Sequence, residues 1–153
     1  MSGIAIDTNI WVRMASPSDP QSRVAKAAVD VCFRKGAVLT SDAVGREFLA
    51  VLTRKVEQNG LGRSSEEAIK LWNFLTVNTL IVHGSPAADQ VWQRLIQTHG
   101  ITGFRVHDAY HVAVALTHGA TRFLTFDQED FAPFAAEIQL IHPNDLAGTQ
   151  DLA

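Results

Sequence analysis

Short unbroken apolar runs, which suit buried strands, alternate along this chain with longer stretches in which apolar residues recur every third or fourth position, the spacing of a helix with one buried face. Gly3 to Ile6 is the first run, and it turns abruptly into Asp7, Thr8 and Asn9. Asp19-Pro20 predicts an N-cap with proline at the first helical position, leading into Val24, Ala27, Ala28 and Val31 and closing at Gly36. Cys32 sits beside that stripe, where a packed thiol is expected. Ala37 to Leu39 predicts a second strand, and Val44, Phe48, Val51 and Leu52 a helix ending near Asn59-Gly60. Ser64 with Glu67 is a capping-box signal ahead of Ala68, Leu71, Trp72 and Leu75. Thr79 to Val82 predicts a third strand, and Ser85-Pro86 opens a helix carrying Val91, Trp92, Leu95 and Ile96. Ala109, Val112, Ala113 and Leu116 mark the next helix, closed by Gly119, before strands at Arg122 to Thr125 and Ile138 to Ile141.

Strands alternating with helices imply an α/β fold, a mainly parallel sheet covered on both faces. Ligands of such sheets bind beyond the carboxyl ends of the strands, where the strand order reverses. Asp7 follows the first strand and Asp127 follows the fourth, in "RFLTFD". Ile10 and Trp11, just past the first acid, are expected to pack in the core or in a contact between copies.

The totals fit one domain: 153 residues, 46% apolar and 19% charged. One cysteine allows no internal disulfide, and no apolar run approaches membrane-spanning length, so a reduced, cytoplasmic protein with no membrane partner is expected. The formal charge of −3 lacks the basic excess of a broad phosphate binder. The sixteen acids and thirteen bases become nearly balanced if a metal neutralises four of the acids.

Four acids are candidates. Beside Asp7 and Asp127 stand Glu47, within the apolar neighbourhood of its helix, and Asp108, in the first turn after "GITGFRVH". No Lys or Arg occupies a helical position that pairs with Glu47. Two carboxylates about 5 Å apart repel by roughly 3 kcal/mol at an effective dielectric of about 20. A divalent cation removes that difficulty, and oxygen-only ligands select Mg²⁺ or Mn²⁺ over zinc. Singly, each acid has a plainer reading: Asp7 as a turn cap, Asp108 as a complement to the helix dipole, Glu47 as a solvated residue. His107 and His111 share a helix face at zinc-compatible spacing, without an evident third ligand.

The stretches "IAIDTNIW", "SDAVGREFLAVLTRK", "NGLG", "VHDAYHVAVALTHGA" and "FLTFDQEDF", in that order, resemble a PIN domain, in particular the VapC-type toxin ribonucleases. The resemblance implies an α/β/α sandwich with a central sheet of four to five strands over residues 1–143, leaving 144–153 as a tail. It implies a Mg²⁺- or Mn²⁺-dependent endoribonuclease with one or two ions, an RNA substrate, an antitoxin partner and a homodimer. Carried over, Asp7, Glu47, Asp108 and Asp127 hold the metal; Asn9 orients one of its ligands, Thr125 binds a carboxylate or phosphate oxygen, and Asp130 is more structural. Phe126, Tyr110 and His111 depart from the family pattern, and His111 falls near the substrate. Arg13, Arg105 and Arg122 are phosphate-contact candidates, with solvated surface charge as the plainer reading. Two other functions fit the acids: a phosphohydrolase with Asp7 as covalent nucleophile, and an inactive binding module.

Overall fold

The computed structural model describes residues 3–147. Five strands, β1 (Gly3–Ile6), β2 (Ala37–Ser41), β3 (Leu80–Val82), β4 (Ala120–Leu124) and β5 (Gln139–Ile141), form one sheet in the order β3-β2-β1-β4-β5. Every pairing is parallel. The chain steps outward from β1 through β2 to β3, then returns to the other side of β1 with β4, so the order reverses between β1 and β4. That crevice is where a parallel sheet opens a site.

Eight α-helices among the described residues cover the sheet: α1 (Thr8–Met14), α2 (Ser22–Lys35), α3 (Asp42–Thr53), α4 (Ser65–Leu75), α5 (Pro86–His99), α6 (Arg105–Thr117), α7 (Gln128–Phe131) and α8 (Pro143–Ala147). Alternation along β1 splits the core in two. Ile4 and Ile6 join Trp11, Val29, Phe48 and Leu52 on one face, while Ala5 joins Leu95, Val112 and Phe123 on the other. The arrangement is the expected α/β/α sandwich. Trp11 is wholly buried, its indole N–H donating to the Thr40 hydroxyl at 3.3 Å. Cys32 is buried among the first set, and burial pushes its thiol up to about 11, as a packing residue requires.

The helices depart from the sequence expectation at several places, among them α7, which was not anticipated, and α8, which begins the segment expected to be a tail. α1 was not anticipated; its seven residues are too few, and too rich in β-branched and aromatic types, to announce a helix. α2 begins at Ser22 rather than Pro20, because Asp19 caps a turn instead, its Oδ1 accepting from Gln21 N at 2.8 Å. α3 ends at Thr53, short of Asn59-Gly60. The amides of Leu61, Gly62 and Arg63 fold back onto the carbonyls of Val51, Arg54 and Leu52, which satisfies the helix end from outside. A Cβ at Gly60 would collide with the Arg54 carbonyl, so only glycine permits that return.

Ser85 caps α5 through the Ala88 amide at 3.1 Å, with Pro86 in the first turn, as expected. Ser85→Ala is expected to lower stability by about 1 kcal/mol without changing the fold; urea unfolding monitored by tryptophan fluorescence checks it. The segment after 143 begins as α8, whose Leu146 is buried against the first core, while residues 148–153 lie outside the described part. No helix among the described residues is long and apolar enough to cross a membrane.

Candidate active site

The site grows from the end of β1. Asp7 N donates to Leu124 O at 3.0 Å, extending the β1–β4 ladder by one residue and fixing the carboxylate at the switch point. Asp7 is only 6% exposed. Its Oδ1 accepts from Thr8 N and its Oδ2 from the Thr125 hydroxyl, both at 2.7 Å. Asp7 is therefore both the N-cap of α1 and a site residue.

Thr125, fully buried, ties three acceptors and donors together. Its hydroxyl donates to Asp7 and accepts from Asn9 Nδ2 at 3.3 Å and from Asp127 N at 3.0 Å. Asn9 Nδ2 also donates to Asp127 Oδ2 at 3.0 Å, and Asn9 Oδ1 accepts from Phe126 N at 3.3 Å. The Asn9 amide is thus committed to the turn that carries Asp127. The geometry makes it a brace for that carboxylate.

Glu47 comes from α3, and both of its oxygens are engaged. Oε2 accepts from the Thr8 hydroxyl at 2.7 Å and Oε1 meets His111 Nε2 at 2.9 Å. His111 is 3% exposed, with Nδ1 at 3.3 Å from the Ser41 hydroxyl. Sequence reasoning looked for a Lys or Arg on the Glu47 helix and missed this partner, which arrives from α6. The signal was present as a histidine at position i+3 from Asp108, on the apolar face of its helix. Thr8 was missed as well; one residue bonds Asp7 with its amide and Glu47 with its hydroxyl.

Asp108, in the first turn of α6, completes the set, and among the described residues nothing hydrogen-bonds its carboxylate. Asp7, Glu47, Asp108 and Asp127 line one open cleft of about 350 Å³, together with Thr8, Asn9 and Arg13. They line it without closing to a point. Among the described residues, no three His, Cys, Asp or Glu side chains stand in ready-made ligand geometry.

The electrostatics follow from that crowding. Burial pushes Asp7 up to about 6 against the opposing pull of His111, Thr125 and Thr8. Burial and the neighbouring Asp7 charge push Asp108 up to about 7. Burial opposes ionisation of Glu47, but the hydrogen bond and charge of His111, with the Thr8 hydroxyl, outweigh it and hold Glu47 below the ordinary value. His111 is the converse: burial disfavours its cation, and Glu47, Asp7 and Asp108 more than compensate. The cleft carries more negative charge than it can comfortably ionise. The chemistry of this all-oxygen set, rather than its present geometry, suits a hard divalent cation, which would relieve the excess.

The remaining candidates are peripheral. Asp130 pairs with Arg105 at 3.3 Å. Arg13 lines the cleft but is held by Asp19 at 3.1 Å and lies over the Phe126 ring at 4.9 Å. Arg122 lies within β4, near Cys32 rather than the cleft. His107 is exposed beside Phe104 and does not join His111.

Among curated proteins, no sequence matches the chain. Solved structures do. The chain is similar to VapBC2 from Rickettsia felis, bound to a promoter DNA fragment, at 14% identity and TM-score 0.70, covering 92% of this chain and 98% of that one. It is similar to the Mycobacterium tuberculosis sarcin-ricin loop cleaving toxin VapC20 at 22% identity and TM-score 0.62, covering 84% and 93%. It is similar to FitAcB from Neisseria gonorrhoeae at 20% identity and TM-score 0.65, covering 94% and 99%. These likenesses concern the fold. The PIN domain family model matches residues 4–136, from the start of the central strand past the last of the four acids, and the chain belongs to the PIN domain family.

Proposed function

We propose that the chain is an endoribonuclease hydrolysing RNA phosphodiester bonds with one or two Mg²⁺ or Mn²⁺ ions held by Asp7, Glu47, Asp108 and Asp127, and that it is the toxin of a type II toxin-antitoxin pair. The observation that carries this reading is the shared cleft at the β1–β4 switch point, where two of the four acids are pushed up to about 6 and about 7. When bound, such an ion supplies positive charge to the phosphate and lowers the pKa of the attacking water. The chain's own part is positional. Thr8 and Thr125 fix the carboxylate planes, His111 holds Glu47, and Asn9 braces Asp127. Water as nucleophile, in place of the ribose 2′-hydroxyl, leaves a 5′-phosphate and a 3′-hydroxyl.

The partner follows from the same reading: an antitoxin, as the toxin-antitoxin complexes among the similar folds support, which on this proposal is small and covers the acidic cleft with an Arg or Lys. Homodimerisation and a cytoplasmic location belong to it too. The covalent-nucleophile alternative has less support, because both Asp7 oxygens accept hydrogen bonds and the side chain is buried.

The purified chain is expected to cleave end-labelled single-stranded RNA with Mn²⁺ or Mg²⁺ and to stop in EDTA. Its fragments should be substrates for a 5′-phosphate-dependent exonuclease. Persistent cleavage in EDTA, or 2′,3′-cyclic phosphate ends, would overturn the assignment.

A further inference from the structure

One large apolar side chain beside the acids is almost fully in water. Phe104 is 90% exposed, more than Phe74, Val77 or Leu80, which lie on or between α4 and β3. It stands at the entrance to α6, after Gly103, whose φ of +63° turns the chain there. The turn is anchored from behind: the Val106 carbonyl accepts from Trp92 Nε1 at 2.8 Å, and Trp92 packs edge-on against Tyr110. Phe104 is therefore exposed on a fixed element. Its ring lies beside His107, with centroids 6.4 Å apart and planes inclined at 37°.

Phe104 and His107 line a second cavity of about 500 Å³ with Glu47, Asp108 and Asp130. Glu47 and Asp108 also line the acidic cleft, so the two spaces are adjacent across those carboxylates. The acids disfavour a second phosphate in this space. A neutral, flat group is suited to it, since an aromatic face accepts any base by stacking. A base paired within a duplex is stacked on its neighbours and cannot present a free face to Phe104.

Resting on the nuclease reading above, we propose that Phe104 stacks on an unpaired base next to the phosphate held at the acids. Phe104 is then a substrate-positioning residue, with little preference among the bases.

Steady-state cleavage of a single-stranded RNA by the full chain tests it. Phe104→Ala is expected to raise KM about 10-fold, the scale of one lost base stack, with kcat within about 2-fold of wild type. Phe104→Trp should retain the wild-type KM, and Phe104→Leu, apolar but without a π face, should behave like alanine. A binding arm reads the stack without chemistry: 2-aminopurine-labelled single-stranded RNA is titrated with each protein in Ca²⁺, and Phe104→Ala should abolish the quench. Cleavage with no dependence of KM or quench on Phe104 overturns the stack alone. A Phe104-dependent quench without cleavage in Mn²⁺ or Mg²⁺ supports the stack and overturns the nuclease reading. Rescue by leucine together with a Phe104→Ala change in oligomeric state, measured by light scattering, overturns the stack in favour of a contact between copies.

Discussion

Asp7→Asn is expected to reduce metal-dependent RNA cleavage about 1,000-fold while leaving the fold intact. The activity loss follows from charge. One carboxylate of the proposed metal-holding set becomes neutral, and several kcal/mol of transition-state charge stabilisation corresponds to about three decades of rate at 1.36 kcal/mol each. The fold survives because two effects nearly cancel. The buried carboxylate is pushed up to about 6, so neutralising it at pH 7 removes a desolvation penalty. Against that, an amide nitrogen placed at Oδ2 no longer accepts from Thr125, whose hydroxyl already accepts from Asn9 and Asp127. One hydrogen bond lost costs about 1 kcal/mol, and the net change should stay within about that amount. Cleavage rates with Mn²⁺ and a thermal melt of the same preparation are the measurements. A well-folded variant that keeps most of its activity would remove Asp7 from the mechanism and the proposed function with it.

Much of this site was legible because strands and acids occupy adjacent places in the sequence. "GIAID" and "FLTFD" each put an acid at or just beyond the end of a parallel strand, and that position is chemically informative whatever the tertiary structure. Asp108 was legible for a similar reason, as an acid in the first turn of a long apolar helix. The network around them was legible only in part. The family resemblance gave Thr125 a carboxylate or phosphate oxygen, and its hydroxyl donates to Asp7, whereas Thr8 and His111 act through bonds to residues 39 and 64 positions away, and no local pattern encodes which hydroxyl or imidazole will arrive. The resemblance has Asn9 orient a ligand of the metal, and the fold commits its amide to Asp127 and to the turn that carries it. Proximity in sequence order also misplaced Arg122, since residues within a strand point to opposite faces and its neighbour is Cys32. The helix boundaries at Pro20 and Asn59 moved because an Asx turn and a returning loop supplied bonds that the helical pattern does not predict.

The metal-free protein is expected to lose stability as pH rises from 5 to 8, the reverse of what salt-bridged carboxylates give. Asp7 and Asp108 have folded pKa values of about 6 and about 7, above the ordinary 3.8, so the folded state holds their protons more tightly than the unfolded chain. The stability this contributes is complete below about pH 4 and is lost as pH rises through those folded values. His111, raised above 6.5 in the fold, adds stability below that value that is likewise lost on going up. Glu47 is lowered, so its contribution is already complete above 4.5 and does not change across the window. Between pH 5 and 6, where Asp7 is itself titrating in the fold, it accounts for about 1 kcal/mol. For a chain of this size that lowers Tm by about 2–4 °C, before a smaller, solvent-screened share from Asp108. Asp108→Asn has no hydrogen bond to lose, and in EDTA at pH 8 it should melt above wild type and depend less on pH. Mn²⁺ should restore the wild type at pH 8 by up to about 2.7 kcal/mol at a hundredfold excess over Kd, and less at pH 5, where protons compete for the same oxygens. In Asp108→Asn that gain should largely vanish. Differential scanning fluorimetry of both proteins across pH, with EDTA and with Mn²⁺, reads all of these at once. A flat wild-type profile in EDTA with no Mn²⁺ shift would mean that the four acids do not share a metal, and would favour the inactive binding module.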